Sequence, residues 1–156
     1  MDKISYRNPS KSKLNVQSHI IGKHIRDVSS SWIAGITLLP PNDLLLADWN
    51  NTCVKRVHAD TSDITDYLQL SSDPWDITTL GNDQAAVTFH DEQKIQFIST
   101  ISKLSLIHAI AVDGECRGIC STTDDDRVVS FIEPGKVEVL DTDGSVLSTI
   151  ATGDSG

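Results

Sequence analysis

The sequence predicts an all-β protein made of consecutive four-stranded antiparallel blades of a β-propeller. Three observations carry that expectation. A self-similar unit recurs every 41 or 42 residues, each unit holds four short apolar segments, and turn-forming residues separate those segments.

The repeat emerges on aligning Gly35-Ile36, Asp76-Ile77 and Gly118-Ile119, which lie 41 and 42 residues apart. The same offsets superimpose the apolar runs that begin at Leu44, Ala85 and Val128, and a third element at Val54, Ile95 and Val137. Strands are expected near residues 33–38, 44–49, 53–58 and 64–70 in the first unit, and near 75–80, 84–90, 94–99 and 105–111 in the second. In the third unit they are expected near 117–121, 127–132, 136–140 and 146–151. Pro40-Pro41-Asn42-Asp43, Gly81-Asn82-Asp83, residues 123–126, Pro134-Gly135 and residues 141–144 supply the turns.

Val137 and Val139, set between Lys136 and Glu138, alternate as a half-exposed strand does, whereas the second strand of each unit is almost continuously apolar. The second strands are therefore expected to be the inner strands, sandwiched between neighbouring blades. A helical solenoid needs amphipathic runs of ten or more residues at 3.6 spacing, which are absent, and an immunoglobulin-like sandwich predicts no such self-similarity.

Residues 1–13 are read as a flexible linker and 14–31 as a partial strand or hairpin of a preceding blade. Blades one, two and three are assigned to 32–72, 73–113 and 114–156. Since propellers use about four to eight blades, an incomplete arc is expected: a fragment of a longer protein is the leading reading, ahead of two chains that join their arcs through open blade edges or an arc of marginal stability.

Composition is that of a soluble globular protein, with 38% hydrophobic and 22% charged residues, and no apolar run is long enough for a membrane helix. Residues 1–31 lack a secretory apolar core, being interrupted by Lys11, Lys13, Lys23 and Arg26, so a cytoplasmic location and no membrane association are expected. Three cysteines cannot all pair with one another, which suits a reducing compartment. The net charge of −9 is uneven. Residues 1–31 hold six basic side chains against Asp2 and Asp27, a net of +4, which leaves seven basic and twenty acidic residues in 32–156, a net of −13. So acidic a body repels a phosphate backbone unless its cations converge, which ranks nucleic-acid binding below protein binding.

The stretch Gly35 to Lys55, with Leu39-Pro40, Leu45-Leu46-Ala47-Asp48, Asn51 and Val54-Lys55, resembles the opening blade of NHL-repeat propellers. More closely, it is similar to those at the C-terminus of invertebrate tripartite-motif (TRIM) proteins, and Trp75-Asp76-Ile77 resembles the start of a next blade. The resemblance covers about residues 32–150 and is strongest over 35–55. It implies a six-bladed ring that binds protein or RNA partners, often substrates of an attached ubiquitin-ligase module. The cysteines, Cys53, Cys116 and Cys120, do not have the spacing of RING or B-box zinc modules, so ligase activity is not carried over.

Asp48, Trp49, Asn50 and Asn51, at the end of the first inner strand, are candidate partner-binding residues, joined by Trp75 and by their repeat equivalents His90 and Asp91. The structural alternative has Asn50-Asn51 making the turn and Trp49 packing between blades. His90 and Asp91, as successive strand residues, are expected to point to opposite faces and not to form a catalytic pair. Cys116 and Cys120 lie about 13 Å apart on a continuous strand, too far for a shared metal or disulfide. Asp124-Asp125-Asp126 and Asp141-Thr142-Asp143-Gly144 lack the twelve-residue loop of an EF-hand and read as turns. No catalytic residue, metal or cofactor is expected. The leading function is a non-catalytic protein-interaction scaffold. The alternatives are a metal-dependent gluconolactonase-like hydrolase, which needs carboxylates converging from several inner strands, and an RNA-binding NHL propeller.

Overall fold

A computed structural model of the chain describes residues 23–151. Among the described residues are twelve strands in three four-stranded sheets. The first sheet holds β1 (Ile33–Leu39), β2 (Asp43–Asp48), β3 (Cys53–His58) and β4 (Ile64–Gln69). The second holds β5 (Asp76–Leu80), β6 (Gln84–Phe89), β7 (Lys94–Ser99) and β8 (Ser105–Ala111). The third holds β9 (Cys116–Ser121), β10 (Arg127–Phe131), β11 (Lys136–Leu140) and β12 (Val146–Ala151). Each sheet is an antiparallel meander in sequence order, because every connection within it is a short turn. In the last hairpin, Asp141 Oδ1 accepts the N–H groups of Asp143 and Ser145, at 2.9 and 2.8 Å, and Gly144 adopts a φ of 89° that favours glycine.

The three sheets stack as blades whose first strands converge. A β-carbon added to Gly35 on β1 would stand 2.6 Å from Asp76 Oδ1 and 2.8 Å from Asp76 Cα on β5. Only glycine admits so close a backbone approach, and the β1–β2 register slips at this point, between Ile33 and Gly35. Asp76 then ties β5 to the next blade, its Oδ2 accepting the Ile119 N–H of β9 at 2.9 Å. Hydroxyls continue the series: Thr37 Oγ1 accepts the Thr79 N–H at 3.2 Å, and Ser121 Oγ donates to the Thr79 carbonyl at 3.0 Å.

The innermost strand of each blade is therefore the first, not the second as the apolar pattern suggested. β2 and β6 are continuously apolar because they lie one place out, covered by a blade on at least one side and by their own sheet neighbours. Two apolar clusters fill the spaces between blades. Leu45, Ala47 and Val54 of the first blade meet Ile77, Val87 and Phe89 of the second. Ala86, Ile95 and Phe97 of the second meet Ile119, Val129 and Phe131 of the third. Each such side chain contributes roughly 1.5–3 kcal/mol relative to exposure, so inter-blade packing is the main source of stability.

The strand or hairpin expected over 14–31 lies partly outside the described residues. The described part, 23–31, has turns and bends but no strand. It runs across the end of the first blade, with His24 against Tyr67 at 4.9 Å and the Arg26 guanidinium 5.6 Å from the Tyr67 ring centroid.

Replacing Gly35 with alanine should force β1 and β5 apart, lowering unfolding free energy by about 1–3 kcal/mol. Urea denaturation checks this, and an unchanged midpoint would contradict the close-approach account.

Candidate partner-binding site

The loop after β2, Trp49–Thr52, and the segment 24–32 meet at one end of the first blade around a buried cation. Lys55 on β3 is 0% exposed, and its Nζ lies 2.6 Å from Asp27 Oδ2 and 2.7 Å from Asp48 Oδ2, with Ser31 Oγ at 3.1 Å. Asp48 also accepts the Trp32 N–H at 3.1 Å and the Asn51 side-chain amide at 2.9 Å. Asn51, 5% exposed, returns the connection: its Oδ1 accepts the N–H groups of Val28 and Ser29 at 3.1 and 3.0 Å, and its Nδ2 donates to the Ser29 carbonyl at 3.2 Å. The segment is thereby stapled to the blade through otherwise orphaned backbone groups.

Burial alone would raise the Asp48 carboxyl, but hydrogen bonds from Lys55, Asn51, Ser31 and the Trp32 N–H outweigh it and hold the group below its ordinary value. For Lys55, burial works to lower the ammonium, and the two carboxylates overcome it and raise it. Asp27, Asp48 and Cys53 place ligand atoms within 4.8 Å of one another, a spacing that suits a metal ion. The Lys55 ammonium already occupies the cation position, and burial pushes the Cys53 thiol up to about 11, which keeps it protonated. The cluster is a structural ion pair with its own cation.

The same end of the arc carries all three tryptophans of the sequence. Trp32, 54% exposed, and the half-buried Trp49 pack with ring centroids 5.0 Å apart, tilted by 55°. On the second blade, Trp75 lies 5.9 Å from His90, and the Arg117 guanidinium of the third blade covers its ring at 4.1 Å. His90 bridges two blades, with Nδ1 2.8 Å from Asp91 Oδ1 and Nε2 3.0 Å from Glu115 Oε2.

Of the residues singled out by sequence, Trp49, Asn50, Trp75, His90 and Asp91 thus share one accessible rim. Asp48 and Asn51 do not: both are buried, because they bind the segment 24–32 rather than face outward. Trp49 packs on Trp32 at the end of its own blade. His90 and Asp91 do pair, contrary to the alternation argument, because β6 ends at Phe89 and both residues lie in the following turn. Sequence reasoning missed Trp32, Glu115 and Arg117, which precede or open an inner strand and come to the rim through blade stacking. Lys55 left a legible signal, as a cation whose cross-strand neighbours are Leu46 and Tyr67.

At the opposite end, Leu39, Pro40, Gly81, Asn82, Ser121 and Asp125 line a cleft of about 380 Å³. Its Asp125 carboxylate accepts the Gly81 N–H at 3.0 Å, so this acidic end is occupied with closing the turns of adjacent blades.

Lys55→Met should destabilise the chain by about 3–5 kcal/mol, since two carboxylates lose their buried counter-ion. The lowered Asp48 contributes stability above the ordinary carboxyl value of 3.8 that is lost as pH falls through its depressed value. The raised Lys55 contributes stability below its ordinary 10.5 that is lost as pH rises through its elevated value. Thermal melts across pH should show a plateau with losses at both extremes, and the variant should lack the alkaline loss attributed to Lys55. A variant that melts like the parent would contradict the role given to Lys55.

No family model and no curated protein sequence matches the chain. Solved structures do match its fold. Hydrazine synthase of Kuenenia stuttgartiensis aligns with TM-score 0.69 and 20% identity, over 89% of this chain and 41% of that one. Virginiamycin B lyase from Staphylococcus aureus, solved with quinupristin, aligns with TM-score 0.65 and 19% identity over 79% and 42%. The Neurospora crassa Pan2 WD40 domain aligns with TM-score 0.62 and 10% identity over 76% and 36%. The chain therefore spans about two-fifths of the length of the first two, 41% and 42%. At these identities the likeness establishes architecture alone: this chain forms three consecutive blades of a β-propeller, a fold shared by enzymes and by WD40 domains.

Proposed function

We propose that the chain is a non-catalytic interaction module that binds a protein partner through the tryptophan-bearing rim, as the resemblance to NHL-repeat and TRIM-type propellers implies. In such a protein the partner is a substrate for an attached ubiquitin-ligase module. The observation that carries this reading is the gathering of Trp32, Trp49, Trp75 and Arg117 at one end of the arc, although they come from three different blades. Tryptophan and arginine are the side chains that most often dominate binding energy at protein interfaces, and here they stand partly exposed beside polar groups that can form a rim around them. The inner strands offer less to a hydrolase. Their carboxylate, Asp76, is engaged by the N–H groups of Ile77 and Ile119 at 2.8 and 2.9 Å, and the hydroxyls of Thr37, Thr79 and Ser121 bond one another or backbone groups.

Affinity capture with the immobilised chain, compared with its Trp49→Ala and Trp75→Ala variants and with Asp124→Ala at the opposite end, tests this. Each tryptophan variant should weaken partner binding by about tenfold or more, and Asp124→Ala should leave it unchanged. Equal capture by all four proteins, or calcium-dependent turnover of a lactone in calorimetric titration, would overturn the reading.

A further inference from the structure

At the end of the arc away from the tryptophans, a second cleft of about 190 Å³ lies between blades two and three, beside the one bounded by Leu39 and Pro40. Leu80, Gln84 and His108 of the second blade line it together with Asp125, Arg127 and Thr142 of the third. Arg127, the first residue of β10, is 5% exposed. At the equivalent strand positions the first two blades carry Leu44 and Ala85, so the repeat itself does not call for a cation there.

The Arg127 guanidinium is incompletely paired. Its Nη1 donates to the Asp141 carbonyl at 2.8 Å, and its carbon lies 5.0 Å from the Phe97 ring centroid, on which His108 also stacks at 4.5 Å. Its Nε is buried without a hydrogen-bond acceptor, and it forms no ion pair among the described residues. Burial holds the guanidinium below its ordinary value, although the charges of Asp125, Asp126, Asp141 and Asp143 act to raise it. Those carboxylates act from a distance and give no oxygen to its N–H groups. A buried guanidinium short of acceptors gains most from a ligand that brings oxygens to it.

The surroundings restrict which ligand can do so. A simple anion would meet one guanidinium outnumbered by aspartates, of which Asp125 borders the cleft itself. A ligand that carries its own cation turns that surplus into a second contact. Asp125 Oδ1 accepts the Gly81 N–H at 3.0 Å, which fixes the carboxylate and leaves Oδ2 to receive an ammonium. The cleft is smaller than the roughly 300–1,000 Å³ of drug-sized sites, so the ligand is small. We propose that this cleft binds a small zwitterion of the α-amino-acid class, its carboxylate on the Arg127 guanidinium and its ammonium on the Asp125 carboxylate. Leu80 and the His108 ring stand beside its carbon atoms. The site is separate from the tryptophan rim, and neither depends on the other.

Titration of the full chain with glycine, alanine, serine and glutamine, followed by nuclear magnetic resonance of the arginine side chains, tests this. The Arg127 Nε–H signal should move and saturate with at least one of the four. Acetate or methylammonium alone should bind at least about tenfold more weakly, since each supplies one of the two charge-assisted contacts. Asp125→Asn keeps an acceptor for the Gly81 N–H and removes the charge, so it should weaken the amino acid about tenfold while tightening acetate. A residue that merely closes a turn would produce no such reversal. Arg127→Gln, read through the Gly81 and Thr142 amides, should no longer respond to either. The parent's Arg127 signal and the Asp125→Asn reversal decide the matter even if Arg127→Gln does not fold. An Arg127 signal unmoved by all four amino acids overturns the proposal, as does acetate or phosphate binding as tightly as the amino acids, or saturation unchanged in Asp125→Asn.

Discussion

A four-stranded sheet cannot bury both of its faces alone, and the contact between neighbouring blades is the interaction on which the rest of this structure depends. It begins at the innermost strands. Gly35 lets β1 approach β5 to backbone distance, and the Asp76 carboxylate reaches on to β9. Once those strands are fixed, Leu45, Ala47 and Val54 must face Ile77, Val87 and Phe89, and the second junction repeats the geometry with Ile119, Val129 and Phe131. The middle blade is covered on both sides. The outward face of the third is not, and its apolar side chains on β10 and β11 remain partly in water.

The buried Lys55 cluster is the polar counterpart of that packing. Where the second and third blades carry Phe89 and Phe131, the first has Asp48. Where they carry Gln96 and Glu138, it has Lys55. These substitutions stand where the segment 24–32 crosses the blade and brings Asp27 to the ammonium. A buried ion pair adds little over an apolar contact, but it tolerates no loss of one partner and no shift in register. The grouping of Asp48, Asn51 and Lys55 is thus accounted for by the path of the chain.

The blades were legible in the sequence because strand alternation, turn chemistry and a fixed period all report local structure. The order of strands from the axis outward was not. A run such as Leu44–Ala47 records burial on both faces, and a second strand held between blades produces it as readily as an innermost one. The rim was half legible: Trp49 and His90 occupy equivalent repeat positions, as do Trp75 and Arg117. Trp32 precedes the first strand, and its repeat equivalents are acidic, so no pattern marked it. Asp48 and Asn51 were misread as surface groups because their partners Val28, Ser29 and Trp32 lie 16 to 23 residues away in a segment without strand pattern. His90 and Asp91 were separated on paper by a strand one residue too long.

If stability resides in mutual covering of blade faces, backbone pairing alone will not decide how firmly each strand is held. Amide hydrogen exchange, resolved to individual strands, measures this directly. The account predicts the slowest exchange in β6 and β7, whose blade is covered on both sides, and clearly faster exchange in β10 and β11, which have equally complete ladders but one open face. Protection in β10 and β11 equal to that in β6 and β7 would contradict it.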